Sequence, residues 1–153
     1  MLVQGNFKTI VELPKYVDVN EWLSFNNDSV EYTWSDSLSK KAKLSAPQYI
    51  DYMTTSMENT LSDESIFPTK SGVDFPKELP SVIKRMFGQM FRLFAHIYHE
   101  HYDKVLSLNE EPHFNSLFAH FISFAKEFDL LEKKELQPLS ELVDTMSKNG
   151  VIP

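Results

Sequence analysis

The stretch from Leu79 to Leu106 constrains the fold more than any other part of the chain. Its apolar residues recur at spacings of three and four, which predicts one broad apolar face on a long α-helix. That face holds Leu79, Val82, Ile83, Met86, Phe87, Met90, Phe91, Phe94, Ile97, Tyr98, Tyr102 and Val105, whereas Lys84, Arg85, Gln89, Arg92, His99 and Asp103 fall on the other side. Because a stripe this wide needs several elements to cover it, we predict a helical domain built around this central helix.

The chain has 153 residues, enough for one domain with its own core, and we expect a single domain over residues 1–153. The absence of cysteine excludes disulfides and thiolate metal ligands within it. No apolar run reaches membrane-spanning length and the start does not resemble a signal peptide. We therefore expect an intracellular soluble protein, cytoplasmic and nuclear, that does not insert into membranes.

The net charge of −7 argues against nucleic-acid binding, which depends on neutralising phosphates with Lys and Arg. The excess is concentrated in residues 1–66, which hold five Lys and ten Asp or Glu. Such an acidic half favours a basic partner through electrostatic steering. The simpler alternative is a solvated acidic surface that only aids solubility.

The N-terminal half predicts an arm, a short helix and a small β-hairpin. Residues 1–17 are too apolar for a free tail and lack a helical stripe, which favours an extended arm. A helix is expected from Asp18, whose capping box uses Glu21. The hairpin follows from the alternation in residues 30–34 and a possible return strand at residues 42–44.

Four further segments complete the mostly α assignment. Ser45 and Gln48 form a second capping box, and the helix after it, through about Leu61, has an apolar face of Tyr49, Ile50, Met53, Met57 and Leu61. Residues 62–78 read as a structured loop because Phe67, Val73 and Phe75 favour burial. A helix over residues 112–129 has one apolar face made of Phe114, Leu117, Phe118, Phe121, Ile122, Ala125 and Phe128. The last helix is expected from near Pro138 to Gly150.

Histidines form the only obvious cluster of chemically active side chains: His96, His99, His101, His113 and His120. His96 and His99 fall on one helix face, whereas a regular helix turns His96 and His101 away from each other. No HExxH spacing, phosphate-binding glycine loop or GxSxG motif is present. A metal-dependent helical hydrolase using these histidines is therefore one hypothesis, and a non-enzymatic binding module with structural histidines is the favoured one.

Several strings resemble the Mob family of kinase coactivators. They are FRLFAHIYHEH at residues 91–101, EEPHFN at 110–115, FPTKSG at 67–72, APQYID at 46–51 and FAHFISFAKEF at 118–128. They run nearly the full length of the chain in the family's order. The arm and first helix, residues 5–22, are similar to the fungal Mob branch that pairs with Ndr-type kinases in polarised growth and morphogenesis.

The resemblance implies an all-α Mob fold without catalytic activity, acting in Hippo-like signalling. Such a protein binds the basic N-terminal regulatory region of an Ndr/Lats-type AGC kinase and promotes its active state. Carried over by position, the kinase-binding residues are Leu2, Phe7, Ile10, Glu21, Trp22, Phe67 and Pro68. For Trp22 and Phe67 the alternative is plain core packing.

Zinc is the first departure from the family pattern. Many Mob proteins bind it with two cysteines and with histidines that match His96 and His101, but the cysteine-bearing segment and the helix before it are missing between Asn26 and Asn27. Either the chain has dispensed with them, or Asn26 and Asn27 flank residues that the sequence omits. We favour the second, because deleting a core helix would expose much of the Phe-rich stripe. No metal or other cofactor is expected.

Phosphate binding is the second departure. Some Mob proteins bind phosphothreonine peptides with three basic residues on the central helix, and here only Arg92 matches, the other positions being Gly88 and Gln89. A single Arg loses the clustered, bidentate contacts that hold a phosphate tightly. A phosphopeptide-binding adaptor in the same pathway is therefore the alternative function, and we expect weak or no phosphopeptide binding.

Overall fold

The computed structural model describes the backbone of residues 31–35 and 41–153, and the side chains from Lys43 onward. The predicted arm, the helix from Asp18 and the Asn26–Asn27 junction lie outside the described residues. Described residues up to Leu79 belong to one compact unit and those from Pro80 to a second one. A single domain over residues 1–153 stays a prediction.

The described part of the first unit starts with the small β-hairpin that the sequence predicted. Strands β1 (Glu31–Ser35) and β2 (Lys41–Ser45) pair antiparallel, with Tyr32 opposite Leu44. Helix α1 (Ala46–Ser62) follows directly, because the Ser45 N–H donates to Gln48 Oε1 at 3.2 Å in the expected capping box.

The apolar face of α1 is buried only over its first half. Ala46, Tyr49, Ile50 and Met53 are buried, whereas Leu61 is 56% exposed. The sequence placed Leu61 on the buried face, and that expectation is wrong. Helical spacing alone does not show where along a helix the burial stops.

The second unit contains the central helix, but the helix is interrupted. Helix α2 (Leu79–Glu100) ends before His101, and α3 (Tyr102–Ser107) starts a new helical segment. The prediction of one continuous helix to Leu106 is therefore wrong at one residue, His101. His101 has φ −128° and ψ 9°, which takes it out of the helical region.

The predicted helix after residue 110 and the predicted last helix both follow, with two short elements between them that the sequence did not predict. In chain order they are α4 (Glu111–Glu127), α5 (Lys133–Leu136), a 3₁₀ turn (Gln137–Leu139) and α6 (Ser140–Lys148). The chain leaves α6 through Gly150, whose φ of +68° is the left-handed conformation of a helix stop. The mostly α class with a small hairpin is confirmed, and no helix in residues 41–153 has the length and apolar character to cross a bilayer.

The core of the second unit forms where α2 packs with α4 and the C-terminal segments. It consists of Phe91, Phe94, Phe118, Ala119, Phe121, Ile122, Ala125, Leu130, Leu131, Leu139, Val143, Met146 and Ile152. Two side chains depart from the expected faces. Gln89, placed on the polar side of α2, is buried, and Phe128, placed on the apolar face of α4, is 59% exposed.

Candidate functional site

The first Phe-Pro loop is the part of the predicted kinase-binding surface that the structure describes. Leu2, Phe7, Ile10, Glu21 and Trp22 lie outside the described residues, whereas Phe67 and Pro68 are both half-buried. The backbone of Phe67 is held by Asp63, the residue that caps the end of α1. The Asp63 carbonyl accepts hydrogen bonds from the Ile66 and Phe67 N–H groups at 3.0 and 2.8 Å.

The carboxylate of Asp63 holds the same turn from the other side. Its Oδ1 accepts hydrogen bonds from the Ser65 hydroxyl at 2.6 Å and from the Ser65 N–H at 2.9 Å. These bonds favour the ionised form and therefore lower the pKa of Asp63. The loop thus starts from a fixed, negatively charged turn.

Beyond this turn the loop exposes apolar side chains. Val73 is 54% and Phe75 is 64% exposed, although the sequence favoured burial for both. Exposed Phe and Val close together in sequence form apolar surface that costs free energy unless something covers it. Because Val73 and Phe75 are exposed and not buried, the loop is more suitable for contact with another protein than the sequence had indicated.

The phosphate-binding position is reduced to one exposed residue. Arg92 is exposed on α2, but Gly88 and Gln89 are buried. A Cβ atom on Gly88 would lie 3.2 Å from Glu135 Oε1, so this part of α2 faces a carboxylate. The geometry therefore offers an anion little compensation for its desolvation.

His96 and His101 come together, contrary to the expectation from a regular helix. Their Nε2 atoms lie 3.0 Å apart, and each residue is only 4% exposed. Residues five apart on an ideal helix point about 140° apart. Because the helix is interrupted at His101, the two side chains point toward each other instead. One ring donates its Nε2–H to the other ring's nitrogen.

The same interruption is built into the backbone hydrogen bonds. The His101 N–H donates to Ile97 O at 3.0 Å, which is the last bond of α2. The His101 carbonyl accepts from the Lys104 N–H at 2.9 Å and so begins α3. His101 therefore ends one helix and starts the next, with its ring turned back toward His96.

The other histidines separate into unrelated contacts. His99 Nε2 donates to the Pro138 carbonyl at 2.8 Å, and His113 Nδ1 lies 2.7 Å from Glu110 Oε2. His120 is exposed on α4. Among the described residues no group of three or more His, Cys, Asp or Glu side chains is close enough to share a metal ion.

In the part of the chain that the structure describes, the donor set does not complete the zinc site that many Mob proteins have. A closed zinc site needs four ligands, commonly cysteine thiolates and histidine nitrogens. His96 and His101 supply two ring nitrogens, the chain contains no cysteine, and residues 43–153 supply no third ligand beside them. In the described part of the chain the two rings bond to each other instead.

A cluster that the sequence did not predict lies beside the histidine pair. The Tyr98 hydroxyl donates to Asn115 Oδ1 at 2.7 Å and the Tyr102 hydroxyl to Glu111 Oε1 at 2.8 Å. Burial, reinforced by Tyr102 and Glu111, raises the pKa of Tyr98 far above its ordinary value. Burial and the hydrogen bond to Glu111 also raise the pKa of Tyr102. Both tyrosines are therefore neutral hydrogen-bond donors at physiological pH.

Comparisons with known proteins agree with the resemblance. The model of the Mob1/phocein family matches residues 24–139. The chain is 41% identical to the "CBK1 kinase activator protein MOB2" of Saccharomyces cerevisiae, over 99% of this chain and 63% of that protein. It is 40% identical to the "Maintenance of ploidy protein mob2" of Schizosaccharomyces pombe, over 99% of this chain and 74% of that protein. It is 42% identical to the "CBK1 kinase activator protein MOB2" of Candida albicans, over 99% of this chain and 58% of that protein.

The lengths of these alignments add a second observation. Each spans 180 residues against the 153 of this chain, so at least 27 aligned positions have no counterpart here. That size agrees with the expected absence of a helix and the segment after it, although Asn26 and Asn27 lie outside the described residues. The chain itself spans less than two thirds of the length of the Saccharomyces and Candida relatives. The family model covers most of the chain and the similarity extends over nearly all of it, so the chain belongs to the Mob1/phocein family.

Proposed function

We propose that this chain is a non-catalytic coactivator of an Ndr/Lats-type AGC serine/threonine kinase. The observation that carries the proposal is its 41–42% identity, over 99% of the chain, to two fungal proteins named as activators of CBK1 kinase. The coactivator binds the basic N-terminal regulatory region of the kinase and promotes the active state. It acts in cytoplasm and nucleus, without zinc, and binds neither nucleic acid nor membranes.

The kinase-binding surface combines the acidic N-terminal half with the Phe-Pro loop. Ten acidic residues against five lysines in residues 1–66 attract a basic segment over long range. The apolar side chains of Leu2, Phe7, Ile10 and Trp22 supply contact area, together with Phe67 and Pro68. The exposure of Val73 and Phe75 supports the loop's part in this surface, and we add Phe75 to the contact residues.

A charge reversal tests the electrostatic part of the proposal. Glu21→Lys is expected to weaken binding to a purified N-terminal segment of an Ndr-type kinase and to leave the fold intact, as judged by the circular dichroism spectrum. Glu127→Lys is the matched control, because Glu127 is exposed at the end of α4 and outside the proposed surface. Raising the salt from 50 to 500 mM should weaken the wild-type complex, since exposed charges are screened.

A truncation tests the apolar part. Phe75→Ala should weaken the same complex with little loss of stability, because the side chain is already 64% exposed. Phe128→Ala, at a phenylalanine that is 59% exposed in the other unit, should leave binding unchanged. Equal binding by wild type, Glu21→Lys and Phe75→Ala, with no salt dependence, would contradict this surface.

The two alternatives are less well supported by the described residues. A metal-dependent hydrolase needs clustered ligands, and the histidines separate into the contacts described above. A phosphopeptide adaptor needs clustered cations, and Gly88 and Gln89 are buried beside Arg92. Neither arrangement favours a second function over kinase coactivation.

A further inference from the structure

A cavity of about 490 Å³ opens between the end of α2 and the segment that leads into α6. One wall consists of Tyr98, His99 and Tyr102, and the other of residues 137–142. The hydrogen bond from His99 Nε2 to the Pro138 carbonyl, 2.8 Å long, joins the two walls. Every lining residue belongs to the second unit, and none belongs to the proposed kinase-binding surface.

Tyr98 and Tyr102 line this cavity, and the ring of Tyr98 also packs against Phe114 and Phe118, with centroids 4.8 and 5.2 Å away. The tyrosine hydroxyls already donate to Asn115 and Glu111, neither of which lines the cavity. Burial and the neighbouring Glu111 keep both phenols neutral and hydrogen-bonded. The faces of such rings are electron-rich and attract cations, above all a planar guanidinium.

The two chain segments that line the cavity carry acidic residues and no basic Lys or Arg. Residues 98–103 carry Glu100 and Asp103, residues 137–145 carry Glu141 and Asp144, and neither segment contains Lys or Arg. Glu141 lines the cavity itself and is exposed. In the described part of the chain no salt bridge joins its carboxylate to a cation.

The apolar part of the lining complements this charge. Of the two leucines that line the cavity, Leu139 is buried and Leu142 is half-buried. A long side chain with a charged tip can lay its methylene groups on such surface and place the tip beside a carboxylate. A lining that combines two tyrosines, two leucines and one carboxylate fits an arginine better than a neutral or acidic group.

We propose that this cavity binds an arginine side chain presented by a partner protein, with Glu141 pairing the guanidinium and a tyrosine ring stacking on it. The site goes beyond kinase coactivation and does not depend on it, because the two surfaces share no residue. The peptide sequence around the arginine is restricted by the leucines, which favour an apolar neighbour. Binding is weak in isolation, since one anchored side chain buries little area.

The experiment uses the full chain labelled with ¹⁵N and three tetrapeptides. Acetyl-Ala-Arg-Leu-Ala-amide should produce saturable shifts at the backbone amides of Tyr102, Ser140 and Leu142. The matched peptide with citrulline, which keeps the shape and loses the charge, should bind at least about threefold more weakly, the size of a partly exposed ion pair. The peptide with glutamate should not bind at these amides.

Two isosteric variants locate the charge. Glu141→Gln should weaken the arginine peptide by about three- to fivefold, whereas Asp144→Asn, an equal change of charge on the same helix outside the lining, should alter affinity by less than about twofold. Both residues are exposed, so both variants are expected to fold like the wild type. Absence of saturable shifts at these amides, equal binding of arginine and citrulline peptides, or equal effects of the two variants would each overturn the proposal. Binding to the kinase segment, measured on the same samples, should not change in either variant.

Discussion

Gly88 on α2 faces the carboxylate of Glu135 on α5, and a Cβ atom on Gly88 would lie 3.2 Å from its Oε1. The other carboxylate oxygen, Oε2, accepts the Glu132 N–H at 2.9 Å, so the group is held in a capping box at the start of α5. A fixed negative charge thus lies where a phosphate-binding surface would need a positive one. Within 4 Å, the described part of the chain offers a Cβ at Gly88 no other neighbour.

Phosphorylation should therefore change peptide affinity little. We expect a phosphothreonine peptide and its threonine counterpart to bind the wild type within about twofold of each other, because a single Arg does not supply the clustered contacts that hold a phosphate tightly. Fluorescence anisotropy with labelled peptides measures this. Gly88→Lys alone should raise the affinity for the phosphopeptide only slightly, since its ammonium pairs with Glu135. Gly88→Lys combined with Glu135→Gln should raise that affinity more. Tight, phosphate-dependent binding by the wild type would contradict this account.

The histidine pair should contribute measurably to stability. Removing either ring, by His96→Ala or His101→Ala, leaves a buried ring nitrogen without its partner and should cost about 1–3 kcal/mol. The double variant should cost less than the sum, with a coupling of about 0.5 kcal/mol or more. Urea unfolding of the wild type, the two single variants and the double variant gives the free energies of this double-mutant cycle. His120→Ala, at an exposed position, is the control and should stay within about 0.5 kcal/mol of wild type.

Metal removal should leave the protein unchanged. Two ring nitrogens that bond to each other and no cysteine make a poor site for a structural zinc ion. We expect the melting temperature in EDTA to equal that in buffer, and elemental analysis of the purified protein to find far less than one zinc per chain. Stoichiometric zinc whose removal lowers the melting temperature would show that residues outside the described ranges complete a site.

The sequence predicted the elements well because their causes are local. Capping at Ser45 and Gln48 and the left-handed Gly150 depend on residues within a few positions, and the structure has both. The interruption at His101 has no such signal. The apolar spacing continues through Tyr102 and Val105, without Gly or Pro, and the break is stabilised by a contact between two buried rings.

The candidate sites depended on contacts that span longer stretches of chain. Tyr98 with Asn115 and His99 with Pro138 are 17 and 39 residues apart, so nothing in local spacing predicts them. The sequence did not predict the exposure of Phe75 and Phe128 for a related reason. An apolar residue favours burial, but its type alone does not show whether the fold buries it. The kinase-binding role of Phe67 and Pro68 came from the resemblance and stays a prediction.

Truncating Phe118 should lower the free energy of unfolding more than truncating an exposed phenylalanine. This side chain is fully buried, and its ring centroid lies 5.2 Å from those of both Phe94 and Tyr98. Phe118→Ala should cost about 3–5 kcal/mol through lost burial and the cavity left behind. Phe128→Ala, whose side chain is 59% exposed, should cost less than about 1 kcal/mol. Similar losses in the two variants, measured by urea unfolding, would mean that the aromatic cluster is not the core.

Alkaline pH should destabilise the fold through Tyr98. Burial, with the nearby Tyr102 and Glu111, raises the pKa of its hydroxyl well above the ordinary value of 10.0. In the unfolded chain Tyr98 loses its proton near that pH, but in the folded protein it keeps the proton and the hydrogen bond to Asn115. Above pH 10 the unfolded state therefore binds fewer protons, and stability falls by about 1.4 kcal/mol per pH unit on account of this group. Below about pH 9 this group makes no pH-dependent contribution.

Tyr98→Phe separates this effect from the other groups that titrate at high pH. The variant loses the hydrogen bond to Asn115 and should be about 0.5–1.5 kcal/mol less stable than wild type at pH 8. Because phenylalanine cannot ionise in either state, its stability should fall less steeply than that of the wild type between pH 10 and pH 11. Urea unfolding at pH 8, 9, 10 and 11 gives both curves. Parallel curves above pH 10 would mean that Tyr98 ionises as readily in the folded protein as in the unfolded chain, and would contradict the prediction.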